Sequence, residues 1–222
     1  MRRIITVAVP LVLAGVLLSP IGAGARQAEE RSRTQGLKET DRFVKAGGKT
    51  SEAVANAKLQ IQKTLDTYNA LVTQPSKDMK GDYKKLMKSV DGMNDRVTEG
   101  RQKLDEMQQA GDTYFGGRAE GIKAISDPQL QDRAKQRMTD SQKEFARVLQ
   151  SLREAGQALE PFRKELADQI TYLGSDLTPS AMTSLKPNAD KLNAHGKEVF
   201  AKTDKAIADA NAYFKSLRAT ES

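Results

Sequence analysis

The feature that most constrains this chain is the spacing of its apolar residues, which recur three and four positions apart over long stretches. Steps that alternate between three and four place apolar side chains on one helix face and average the 3.5-residue period of packed, supercoiled helices. A strict run of this kind predicts a long helix lying beside other helices. The most regular run consists of Tyr83, Leu86, Val90, Met93, Val97, Gly100, Leu104, Met107, Gly111 and Tyr114.

Three other stretches have similar spacing, and proline-containing segments separate them. The first predicted helix begins near Thr50 and ends before Pro75, because proline disfavours a helical residue before it. The third begins at Pro128 and ends near Gly174, and the fourth begins at Pro179. Their apolar seams are Val54, Ile61, Leu65, Tyr68 and Val72; then Phe145, Val148, Leu152, Ala155, Leu159, Phe162, Leu166, Ile170 and Leu173; then Leu185, Leu192, Val199, Ala206, Ala210, Tyr213 and Leu217.

Two prolines and two glycines interrupt these patterns without ending them. Pro161 removes a backbone donor, but the spacing continues on both sides, so we expect a kinked, continuous helix. Pro187 is expected to bend the last helix near its start. Gly100 and Gly111 occupy seam positions, where each costs roughly 1 kcal/mol relative to alanine.

Together these patterns predict an all-α fold. No stretch alternates apolar and polar residues with a period of two, so we expect no strands. Short connections make successive helices antiparallel. The predicted domain is an elongated antiparallel bundle of four long helices with coiled-coil character over residues 49–218. Residues 26–48 are polar and end in Gly47 and Gly48, which predicts a flexible arm, with at most a short helix near residues 38–45.

Residues 1–25 have the composition of a secretory signal peptide. Two arginines precede an uncharged run from Ile4 to Leu18, and an Ala-x-Ala sequence ends at Ala25. Cleavage between Ala25 and Arg26 would release the mature chain, so we expect a periplasmic or secreted protein. The alternative is an uncleaved membrane anchor, against which Pro10 and several glycines count.

The composition also limits which classes of partner and modification we expect. The chain has no cysteine, so it cannot form disulfides or be lipidated as a bacterial lipoprotein. Its formal net charge of +7 is a mild excess over mixed signs, and an exported chain rarely meets nucleic acid. We therefore expect no nucleic-acid partner.

Candidate catalytic and cofactor sites are few. His195 is the single histidine, and one histidine without cysteine does not make a usual zinc site. The chain contains neither the Gly-x-Ser-x-Gly sequence of serine hydrolases nor a phosphate-binding Gly-x-x-x-x-Gly-Lys loop. The sequence therefore favours a protein that is not an enzyme and has no cofactor, metal or catalytic residues.

One cluster of basic residues is a candidate binding surface. Lysines recur at helical spacing near the start of the second helix, where they would lie along one face. Such a face would contact an anionic lipid surface or a cell-wall polymer, although Asp78 and Asp82 interrupt it and a solvated face is the alternative. The residues are Lys77, Lys80, Lys84, Lys85 and Lys88.

The third helix carries a family resemblance. It contains Ser151-Leu152-Arg153-Glu154-Ala155, Glu160-Pro161-Phe162-Arg163 and Gln169-Ile170-Thr171-Tyr172-Leu173, followed by Ala181 and Ser184-Leu185. This segment, and more loosely residues 40–217, resembles an uncharacterised family of bacterial envelope proteins known only as a domain of unknown function. The resemblance implies a helical rod in the envelope and no catalytic residues. Many members look like lipoproteins, whereas this chain has no cysteine to lipidate.

Two functional hypotheses follow. The first is an exported, non-enzymatic helical protein of the bacterial cell envelope, with a structural or adaptor role through contacts with another envelope protein. The second is a binding module for an anionic membrane or cell-wall surface through the basic helix face.

Overall fold

The computed structural model describes the backbone of residues 21–219 and the side chains of residues 35–219. Within this part of the chain every regular element is a helix. The helices are α1 (Ile21–Thr73), α2 (Met79–Lys123), α3 (Pro128–Ser175), α4 (Pro179–Ser184) and α5 (Lys186–Ala219). The predicted all-α fold with four long helices is confirmed. No helix in the described range combines the length and hydropathy needed to cross a membrane.

The chain divides into two compact units, Met1–Gln35 and Gly36–Ser222. In the first unit the described backbone, residues 21–35, is helical. The predicted signal peptide therefore lies mostly outside the described residues, and no side chain around the predicted cleavage site at Ala25 and Arg26 is described. Cleavage there stays a prediction.

The second unit is an antiparallel bundle of α1, α2, α3 and α5. One core cluster joins the end of α1, the start of α2, the end of α3 and the start of α5, and includes Tyr68, Leu86, Phe162 and Leu192. The other cluster joins the opposite ends of the same helices and includes Phe43, Tyr114, Phe145 and Phe214. Along the chain, each cluster contains in turn the end of one long helix and the start of the next. Successive long helices therefore run in opposite directions.

Side-chain caps explain where the helices begin. The Asp127 carboxylate accepts hydrogen bonds from the backbone N–H groups of Gln129 and Leu130, and Pro128 occupies the first turn of α3. Asp78 caps α2 by accepting from the N–H of Gly81. The cap of α3 lies at the start that the sequence predicts.

The two helix prolines have different outcomes. Helix α3 continues through Pro161, and the neighbouring Leu159 and Phe162 are buried, so the predicted continuity is confirmed. The last predicted helix is instead divided at Leu185 into the short α4 and the long α5. Pro187 is the physical reason, because proline has no backbone N–H to donate and its ring crowds the preceding turn.

The flexible arm predicted for residues 26–48 is corrected by the structure, since α1 runs through all of them. Phe43 and Val44 are buried in the core, and the side chain of Phe214 packs so closely on Gly47 that no Cβ would fit there. The polar composition and the two glycines lower the local helix propensity. The stabilisation gained by packing Phe43 against other helices is larger than this loss.

Candidate functional site

The five candidate lysines lie at the end of the bundle where α1 connects to α2, and all are exposed. One precedes the capping residue Asp78, and the others lie on the first three turns of α2. Steps of four residues place Lys80, Lys84 and Lys88 along one face of the helix, and Lys85 lies beside this face. In chain order they are Lys77, Lys80, Lys84, Lys85 and Lys88.

The nearby carboxylates neutralise only part of this basic face. Asp82 pairs with Lys85 across 3.0 Å. Hydrogen bonds from Ser76 and Lys85 hold the pKa of Asp82 below its ordinary value, and the same contact raises the pKa of Lys85. Among the described residues, no carboxylate lies within ion-pair distance of Lys80, Lys84 or Lys88.

His195 links two helices. Its Nδ1 lies 3.0 Å from Oε2 of Glu165, so the contact joins α5 to α3. The flanking carboxylates in sequence, Asp190 and Glu198, are not its partners. In the described range no group of histidine, cysteine, aspartate or glutamate side chains is arranged to hold a metal ion.

Buried polar pairs join the helices inside the core, and the sequence analysis missed them. The Tyr68 hydroxyl donates to Oε1 of Gln169, linking α1 to α3, and burial raises the pKa of Tyr68. The Thr64 hydroxyl donates to the carbonyl of Ser89 at 3.0 Å, linking α1 to α2. Buried polar groups need such partners, so these pairs favour one register of the helices over others.

A cluster of six aromatic rings fills the end of the bundle nearest the second turn. Phe43 lies at its centre, with ring centroids of 4.9 Å to Phe145 and 5.0 Å to Phe214. Tyr114 and Phe115 are buried in this cluster, so both rings pack inside the bundle. The six rings belong to Phe43, Tyr114, Phe115, Phe145, Tyr213 and Phe214.

A cavity of about 370 Å³ lies between the two core clusters. Side chains from all four long helices line it, and most of its lining is apolar. The glycine at seam position 100 is one sequence signal of this cavity. The size of the empty volume depends on which residues the other helices place at the same level.

Comparison with known protein families identifies the family of this chain. Residues 29–217 match the model of a family described as "Protein of unknown function (DUF2959)". The chain belongs to this family. The resemblance to an uncharacterised family that the third helix indicated is therefore confirmed. Neither a curated protein nor a solved structure matches the chain. Membership in DUF2959 transfers no catalytic residue, because the family itself has no described activity.

Proposed function

We propose that this protein is an exported, non-enzymatic component of the bacterial cell envelope that acts as a structural or adaptor protein through contacts with another envelope protein. One observation supports this proposal: side chains of types that often act in catalysis, a histidine and a tyrosine, form contacts between helices. His195 pairs with Glu165, and Tyr68 pairs with Gln169. These polar contacts between helices stabilise one arrangement of helices whose outer faces carry mixed charges.

The outer faces also offer apolar contact points. Leu59 on α1 is 67% exposed, and Leu130 at the start of α3 is 54% exposed. Single exposed leucines are common on protein surfaces, so each is a position to test and not a site in itself. They lie on different helices, which allows two faces of the bundle to be compared.

Two measurements in cells test the proposal: the position of N-terminal cleavage and the proteins that contact the bundle. N-terminal sequencing of the protein from the envelope fraction should find Arg26 as the first residue. A photo-crosslinking side chain at position 59 or 130 should give discrete adducts with an envelope protein, and the same probe at exposed Glu198 on α5 serves as the matched control. Recovery in the cytoplasm with Met1 intact, or the absence of discrete adducts from every position, would contradict the proposal.

A second candidate function is binding to an anionic membrane or cell-wall polymer, which the exposure of Lys80, Lys84 and Lys88 favours. Each lysine near an anionic surface contributes about 1 kcal/mol, and this attraction decays over a Debye length of ~8–10 Å. The association would therefore be weak and sensitive to salt.

Cosedimentation with anionic vesicles at low and high salt distinguishes the two functions. One variant replaces the four face lysines with glutamine, and its control replaces four exposed lysines elsewhere, so both lose the same charge. Weaker low-salt binding by the first variant alone supports surface binding, whereas equal binding by the two variants and the parent removes it. The test set is Lys77, Lys80, Lys84 and Lys88, and the control set is Lys164, Lys191, Lys197 and Lys215.

A further inference from the structure

The core of the bundle is interrupted at one level by small residues. Each long helix contributes one small buried residue to the lining of the 370 Å³ cavity: Ala57, Gly100, Ala155 and Thr203. Gly100 is buried, yet a Cβ built on it would meet no neighbouring atom within 4 Å. Close-packed interiors leave few voids larger than a water molecule, so empty space beside a buried residue is unusual.

The cavity opens between α2 and α3. Its exposed lining residues all belong to these two helices and include Arg101, Arg153 and Glu160. The buried apolar side chains of Ile61 on α1 and Val199 on α5 lie at the opposite side. This arrangement is a mostly apolar pocket with a charged rim, and its volume lies in the lower range of small-molecule sites.

The rim carries more positive than negative charge. Arg101 Nη2 lies 2.6 Å from Oε1 of Glu160, which makes a salt bridge between α2 and α3 beside the opening. Arg153 contacts a neutral group, Oε1 of Gln108, at 3.2 Å. The guanidinium of Arg153 therefore remains available for a carboxylate, which it binds through two parallel hydrogen bonds.

We propose that this cavity binds a single-chain acyl carboxylate, with the hydrocarbon chain against Ile61 and Val199 and the carboxylate at Arg153 and Arg101. The apolar lining favours the chain, because moving hydrocarbon from water onto an apolar surface is favourable. The arginines favour the anionic head group over a cationic one. This site lies away from the lysines of α2 and is independent of both proposed functions.

Isothermal titration calorimetry of the purified protein with decanoate, below its micelle concentration, tests the proposal. We expect saturable binding of one decanoate per chain, and at least tenfold weaker binding of decyltrimethylammonium and of hexanoate. Gly100→Leu places a side chain in the cavity and should weaken decanoate binding at least tenfold. Gly116→Leu is the matched control, because Gly116 is exposed on the same helix and its added side chain lies outside the cavity.

Surface variants keep the test valid if Gly100→Leu does not fold. Arg101→Gln with Arg153→Gln changes only exposed residues and should weaken decanoate binding about tenfold, since charge-assisted hydrogen bonds are lost. The variant with the α2 lysines replaced by glutamine should bind decanoate like the parent. Absence of saturable binding, equal binding by folded Gly100→Leu, or equal affinity for the decyl cation would each overturn the proposal.

Discussion

Replacing two buried glycines of α2 with alanine should have different effects on stability. Gly100 and Gly111 are both buried on the face of α2 that packs in the bundle. Alanine is favoured over glycine by roughly 1 kcal/mol in a helix interior, so this contribution is the same at both positions. The difference between the variants therefore measures the space beside each glycine.

At Gly100 the added methyl group enters empty space. A Cβ there meets no neighbouring atom within 4 Å, so the gain in helix propensity is retained. We expect the free energy of unfolding to rise by about 1 kcal/mol, with a small further gain from apolar burial. For a chain of this size that raises the melting temperature by roughly 2–4 °C.

At Gly111 the added methyl group collides with aromatic rings. Its Cβ would lie 2.6 Å from Cε1 of Phe145 and 3.1 Å from Cε2 of Phe43. Those rings already contact each other at 4.9 Å between centroids, so neither moves freely. Overpacking costs typically 1–3 kcal/mol, which cancels or exceeds the propensity gain. We expect Gly111→Ala to be about 1–3 kcal/mol less stable than Gly100→Ala.

Urea unfolding followed by helical circular dichroism measures both free energies, provided that the slope with denaturant stays constant. Gly116→Ala is the control, since Gly116 is exposed on α2 and its Cβ also meets nothing. The packing argument is refuted if Gly111→Ala is as stable as Gly100→Ala.

Three further predictions concern the core. Leu166→Ala should lower the unfolding free energy by about 2–5 kcal/mol, whereas exposed Lys84→Ala should leave it almost unchanged; equal losses in urea unfolding would contradict the seam assignment. Tyr68→Phe should cost about 1–3 kcal/mol by the same assay, because it leaves Gln169 without its buried donor, and no loss would mean that this pair is unimportant. Burial also raises the pKa of Tyr68 and Tyr213 above 10.0, so the folded state holds these protons more tightly. The stability that they contribute is complete below the unfolded pKa and is lost as pH rises above it, and a Tyr213→Phe variant with an unchanged alkaline slope would refute this linkage.

The positions of the helix seams and most helix boundaries could be predicted from the sequence. Every seam residue of α3, from Phe145 to Leu173, is buried, and α3 begins at Pro128 as its cap indicates. These features depend on local properties: which residues share a helix face, and where a proline or a capping carboxylate ends or starts the hydrogen-bond ladder.

Features that depend on contacts between distant residues could not be predicted in this way. Residues 26–48 have weak helix signals, but Phe43 packs against rings more than 70 residues away, and that burial keeps the segment in α1. The Tyr68 to Gln169 pair joins residues 101 positions apart. Neither contact has a local sequence signal, because each depends on how three or four helices are aligned.

Two glycines of α2 show most directly which features are local and which depend on the tertiary structure. Gly100 and Gly111 are alike in the sequence, since both occupy seam positions of one helix and carry the same propensity cost. In the bundle Gly111 faces Phe43 and Phe145, whereas Gly100 faces unfilled volume. The periodicity of α2 by itself determines that both glycines face inward. The tertiary structure alone decides what lies opposite them, because the size of a void depends on side chains contributed by every surrounding helix.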